Sequence, residues 1–107
     1  MSGYGVFQEH WTDADGNPAG GVTSGRGIAI SWQNGPLGRG NDRKEPNGAF
    51  VEDVITAALG RLEHYQQSKF ACSENATAIY NLRMALDALE SRTASREDRG
   101  VEGTHGV

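Results

Sequence analysis

The chain has 107 residues, a formal net charge of −4 and one cysteine. That length suits a single domain with a modest core, and an acidic balance spread over both signs argues against a non-specific binder of DNA or of membrane surfaces. A lone cysteine excludes an internal disulfide and fits a cytoplasmic setting, while no apolar run approaches the length of a membrane span.

The N-terminus, Met1-Ser2-Gly3-Tyr4-Gly5, has neither the basic nor the apolar segment of a secretory signal. Residues 4–11 read as a first strand, with Tyr4 and Val6 on one side and Phe7 and Trp11 on the other. Residues 13–21 are turn chemistry throughout. Gly20-Gly21-Val22-Thr23-Ser24-Gly25-Arg26-Gly27 lacks the Gly-Lys-Ser/Thr ending of a phosphate loop and precedes a strand, so it reads as a flexible hairpin connection. Ile28, Ile30 and Trp32 alternate with Ala29 and Ser31, the cleanest strand signal in the chain. Gln33-Asn34-Gly35-Pro36 closes it as a turn, and residues 37–46 read as a loop. Most of the fifteen glycines fall before Asn47, so the two halves are built differently.

Residues 48–99 carry the longest periodic signal. Val51, Val54, Ile55, Ala58, Leu62 and Tyr65 recur at threes and fours, as do Ile79, Leu82, Leu86, Leu89 and Thr93. The break near Ser68–Ser73 is short enough to force two antiparallel helices, stripe against stripe. Asn47 is the expected N-cap of the first helix, with Glu52 and Asp53 near the positive end of its dipole. Ser73 is the expected N-cap of the second, which runs to about Arg99 with Gly100 to end it, a length of ~40 Å. Gly60 lies opposite the first stripe, either as a tolerated weakness or as a place where another chain or ligand comes close. Tyr80, Met84 and Ala88 fall away from the second stripe. A two-helix hairpin leaves them for the N-terminal strands or a second subunit to cover, so an oligomer is expected.

Side chains suited to chemistry are sparse. Asp13-Ala14-Asp15-Gly16 resembles the start of a calcium loop, but the glycine falls early and no glutamate stands at the twelfth position. His10 and His105 have no ligand partners at metal-binding spacing, so no metal is expected. Asn75-Ala76-Thr77 fits a glycosylation acceptor but falls inside a helix. Cys72 and His64 flank the hairpin turn, yet nothing marks an orienting acid or an oxyanion hole, so no catalytic residue is assigned. Arg92 and Arg96, one turn apart, offer two planar donor forks to phosphate oxygens or belong to a mixed-charge exposed face beside Glu97 and Asp98. Tyr65 ends the first stripe and Asn75 lies on the inward line at the start of the second helix. That pair either stacks a purine and reads its edge or packs the turn.

Five segments occur in a familiar order: Trp32-Gln33-Asn34-Gly35-Pro36-Leu37, Asn47 to Ile55, Phe70-Ala71-Cys72-Ser73-Glu74-Asn75, Arg92-Thr93-Ala94-Ser95-Arg96, and Val101-Glu102-Gly103-Thr104-His105. Over residues 27–107 the chain resembles the phage hairpin-domain proteins that act as sponges for bacterial immune signals, in the Thoeris-antagonist branch related to the anti-CBASS sponge. The first 25 residues lie outside this resemblance. It implies binding of cyclic ADP-ribose isomers, and in some members cyclic di- or trinucleotides, without cleavage and without a cofactor. It also implies assembly as a dimer or hexamer. Tyr65 and Asn75 match the aromatic and asparagine of the ADP-ribose pocket, and Arg92 and Arg96 match the arginine pair of a second, cyclic oligonucleotide pocket. The tyrosine stands where phenylalanine also occurs, which keeps the stacking face and adds a hydroxyl.

The expectation is therefore an α+β protein of one domain over 1–107. A small N-terminal antiparallel sheet and its loops occupy 1–46, an antiparallel helical hairpin 47–100, and a C-terminal tail 101–107. The expected function is sequestration of cyclic nucleotide signals in the bacterial cytoplasm during phage infection. The alternatives are an enzyme that degrades such nucleotides and a small oligomeric interaction protein that regulates a host partner.

Overall fold

A computed structural model describes residues 5–106. Three strands, β1 (Phe7–Thr12), β2 (Pro18–Gly25) and β3 (Ile28–Trp32), form one antiparallel sheet in the order β1-β2-β3. Two helices follow, α1 (Val51–Gln66) and α2 (Ser73–Asp98). The class is α+β, as expected. The chain divides into two compact units, one of residues 1–50 with 101–107 and the other of residues 51–100.

In the first unit the strands are joined by tight turns. Asp13 opens the β1–β2 turn by accepting, through one carboxylate oxygen, the backbone N–H groups of Asp15 (2.9 Å) and Asn17 (3.0 Å). The carboxylate is therefore occupied by its own turn, as Asx geometry predicts. The β2–β3 connection is only Arg26-Gly27, with Gly25 paired to Ile28.

This corrects the sequence reading of the glycine-rich stretch. Residues 18–25 are the central strand, not turn and flexible connection. Glycine weakens a strand unless another backbone must come close. Gly21 meets that exception: a Cβ there would lie 2.3 Å from the Glu9 carbonyl oxygen, and its φ of +142° disfavours side chains. It pairs with His10, next to a register shift between His10 and Thr12. Tyr4, expected in the first strand, lies outside the described residues.

Thr23 is the buried polar residue of the sheet, 5% exposed. Its hydroxyl accepts from Trp32 Nε1 at 2.9 Å and donates to Gln8 Oε1 at 3.1 Å, tying all three strands together from one face. Residues 47–49 then extend the sheet beyond β3. Ala49 N donates to Ser31 O (2.8 Å) and Gln33 N donates to Ala49 O (3.0 Å). Asn47 is part of this seam and is not a helix cap. Its Oδ1 accepts from Asn34 N at 2.8 Å and its Nδ2 donates to Asn34 O at 2.9 Å, and α1 begins only at Val51.

The C-terminal tail seats the long loop. Gly38 N donates to Gly103 O at 2.7 Å, and Arg43 Nη1 reaches both Glu102 carboxylate oxygens at 2.9 and 2.8 Å. Gly103 has φ +77°, and a Cβ there would lie 2.4 Å from Gly38 O, so the tail's glycine is required by close approach.

The second unit is the hairpin. Its helices run antiparallel, since Glu63 pairs with Arg83 (2.5 Å) while Gln66, further along α1, bonds Cys72. Val54, Ile55, Leu59 and Leu62 of α1 are half-buried, as are Ala78, Ile79, Leu82, Ala85, Leu86, Leu89 and Thr93 of α2. The α2 stripe agrees with its periodicity. In α1, Leu59 belongs to the packed face and Ala58 does not. A Cβ at Gly60 would meet nothing within 4 Å. No described apolar side chain is fully buried, and Tyr80 and Met84 remain 62% and 45% exposed.

Candidate functional site

The hairpin turn builds a cleft from four side chains. Tyr65, Phe70, Cys72 and Asn75 line a hollow of about 390 Å³. The backbone beneath it is held by side chains at nearly every step. Gln66 Oε1 accepts from Cys72 N at 2.9 Å and Gln66 Nε2 donates to Cys72 O at 3.1 Å, as a neighbouring strand would. Ser68 Oγ donates to Tyr65 O at 2.6 Å and accepts from Phe70 N at 3.1 Å. Asn75 Nδ2 donates to Phe70 O at 3.1 Å.

The cap of α2 is also part of this site. Cys72, not Ser73, is the N-cap, with its Sγ accepting from Asn75 N at 3.5 Å. The serine already lies within the first turn, where its hydroxyl contacts the Glu74 carboxylate at 3.2 and 3.3 Å. Among the described residues no hydrogen bond joins Cys72 to His64, so the two are not assembled as a nucleophile and base. His64 instead tilts against Tyr65, with ring centroids 6.3 Å apart.

Tyr65 is 36% exposed. Arg61 lies one turn before it, its guanidinium carbon 5.0 Å from the ring centroid and its Nε donating to the phenol oxygen at 3.2 Å. The cleft thus combines an aromatic ring, a fixed amide and an adjacent cation. Such a set can stack a base, bond its edge and attract an anionic group.

Arg92 and Arg96 stand at the other end of α2. Arg92 is exposed, whereas Arg96 is half-buried and continues the inward line of Leu82, Leu86, Leu89 and Thr93. Asn75 and Arg92 are separated by ~26 Å along the helix axis. The fold therefore brings Tyr65 and Asn75 together and keeps the arginine pair apart from them. A further hollow of about 440 Å³ lies along the hairpin, bordered by Gln66, Ile79, Tyr80 and the Glu63–Arg83 ion pair, and contains none of these four residues.

Sequence reasoning missed Phe70, Cys72 and Arg61 as members of the turn-end cluster. Phe70 sits in the short break and so has no periodicity to place it. Arg61 had a legible signal, its i, i+4 spacing to Tyr65.

A three-stranded antiparallel sheet followed in sequence by an antiparallel helical hairpin makes this an α+β hairpin-domain protein. Residues 25–94 match the family described as the Acb2/Tad1 hairpin domain, and the chain belongs to it. The match includes Tyr65, Asn75 and Arg92, while Arg96 and the C-terminal tail fall beyond it. The chain is similar to a phage protein named Thoeris anti-defense 1, from Bacillus phage SBSphiJ7. The two are 44% identical over 82 residues, which is 77% of this chain and 55% of that protein. The chain thus spans little more than half the length of that relative. No helix among the described residues is long and apolar enough to cross a membrane.

Proposed function

We propose that the protein is a sponge for immune signals. It binds cyclic ADP-ribose isomers in the cytoplasm of an infected bacterium and withholds them, uncleaved, from the defence effector. The observation that carries this reading is the shared cleft of Tyr65 and Asn75 in a member of the Acb2/Tad1 hairpin family. The similarity to a protein named for Thoeris anti-defence supports the same direction.

A sponge must hold its ligand below signalling concentrations, which at nanomolar affinity requires about −12 kcal/mol. Base stacking contributes ~1–3 kcal/mol and each charge-assisted hydrogen bond ~1.5–3 kcal/mol. Those gains need a ligand enclosed on several sides, and one hairpin offers an open cleft. Homo-oligomeric assembly, as a dimer or hexamer, supplies the missing walls and covers Tyr80 and Met84. Arg92 and Arg96 form a second site that takes cyclic oligonucleotides.

The test is to incubate the protein with a cyclic ADP-ribose isomer, denature it by heat and analyse the supernatant. Intact ligand at full recovery is expected. Cleaved product would make the protein an enzyme instead, and failure to bind any such nucleotide would favour a role in regulating a host protein.

A further inference from the structure

The sheet has two edges, and the chain covers one. Beyond β3, Ala49 bonds to Ser31 and Gln33. β1 forms the other edge, and among the described residues no strand pairs with its outer side. All six residues of Phe7–Thr12 are exposed. Open edges are ordinarily blunted by lysine, by proline, by a bulge or by a shortened strand, because their free N–H and C=O groups accept a further strand. β1 contains no lysine or proline, and the irregularity beside Thr12 puts its extra residue in β2, so the outer edge of β1 is continuous. Its carboxylate, Glu9, accepts from the Trp11 indole N–H at 2.6 Å.

An aromatic surface adjoins this edge. Side chains alternate along a strand. Phe7, Glu9 and Trp11 therefore share one face, as the Glu9–Trp11 bond shows, while Gln8 lies on the face of Thr23. Phe7 and Trp11 are 59% and 44% exposed, and the residues next to Phe7 across the sheet, Ser24 and Ala29, are small.

A second copy of β1 complements this edge in one register. Two such strands related by a two-fold axis run antiparallel with like faces on the same side. Centred on Glu9, they set two carboxylates opposite each other, and centred on Trp11 they set Glu9 opposite Asp13. Like charges in those positions are destabilising. Centred on Gln8, they set Trp11 opposite Gly5, outside the strand. Centred on His10, they set each Glu9 opposite a tryptophan with an indole donor and each Gln8 opposite Thr12, an amide against a hydroxyl. That register also puts each Trp11 diagonal to Phe7 and Trp11 of the second copy, within reach of aromatic side chains.

We propose that β1 is a subunit contact, in which two copies join their edge strands antiparallel about a two-fold axis at His10 and make one continuous sheet. The contact lies in the sheet unit, away from Tyr80 and Met84 of the hairpin unit, and does not involve the nucleotide cleft. Two different two-fold contacts on each subunit can close a ring such as a hexamer.

Disulfide trapping of the full chain tests the register. The background is Cys72→Ser, which removes the native thiol and keeps a capping oxygen. Facing residues of an antiparallel pair lie ~4.5–5.5 Å apart between Cα atoms, within the range a disulfide spans. The two Gln8 residues would be about 14 Å apart. Under mild oxidation His10→Cys should give at least ten-fold more covalent dimer than Gln8→Cys. Equal trapping of the two, or trapping of neither, would overturn the proposal. Sedimentation equilibrium of the native sequence against Trp11→Lys supplies a second reading. The variant should form a smaller assembly with unchanged circular dichroism, and equal masses would overturn the contact whatever the fate of the nucleotide reading.

Discussion

Gln66 and Cys72 exchange two hydrogen bonds, the glutamine amide taking the place of a strand on the cysteine backbone at 2.9 and 3.1 Å. The pair closes the turn that carries Phe70 and orients the start of α2. Gln66→Ala should therefore lower the affinity of the turn-end cleft for its ligand, with a stability loss of about 1–2 kcal/mol for two exposed bonds. Backbone amide exchange at Cys72 should accelerate in the same variant. Normal exchange at that amide would show that the turn is held by other contacts.

The separation of the two proposed pockets along α2 predicts independent losses. Tyr65→Ala and Asn75→Ala should each reduce binding of cyclic ADP-ribose isomers at least ten-fold and leave cyclic oligonucleotides bound. Arg92→Ala combined with Arg96→Ala should do the reverse. Loss of both ligand classes together in a variant with native circular dichroism would contradict a two-pocket protein.

Thr23 joins Trp32 to Gln8 through one hydroxyl. Thr23→Val keeps the shape and removes both bonds. It should cost about 1–3 kcal/mol, because the hydroxyl is buried and its partners lose a bond each. Chemical denaturation followed by tryptophan fluorescence would measure this, and a shift of the Trp32 indole N–H resonance should accompany it.

No described apolar side chain is fully buried, and Tyr80 and Met84 share an exposed line on α2. Replacing both with glutamine should shift the mass seen by sedimentation equilibrium towards the monomer, without loss of helix at high protein concentration. An unchanged mass would contradict an oligomer built through this face.

The Asp13 carboxyl is held below the usual aspartate range, first by the hydrogen bond from the Asn17 backbone and then by that from Asp15, with His105 adding a favourable charge. A folded-state pKa below the unfolded one means that ionised Asp13 contributes stability above the unfolded value. That contribution disappears as pH falls through the folded value. Carbon-detected titration of the side-chain carboxyl should give a midpoint below that of a free aspartate. A midpoint at or above it would show that the turn does not favour the ionised form.

The sequence by itself determined the helical hairpin. The α2 line from Ile79 to Thr93 and the short break after Tyr65 leave little choice, because period and loop length are local quantities. The strand at Ile28–Trp32 was legible for the same reason, as was the closeness of Tyr65 and Asn75, which flank one tight turn. Only the tertiary structure decided the central strand. Gly20, Gly21 and Gly25 look like connection by propensity, yet Gly21 is there because the Glu9 carbonyl comes too close for a Cβ. Only the structure moved Asn47 from a helix cap into the seam with Asn34, since either use satisfies the same amide. Local patterns specify elements, whereas close backbone approach and the sharing of hydrogen-bonding groups become visible only once those elements meet.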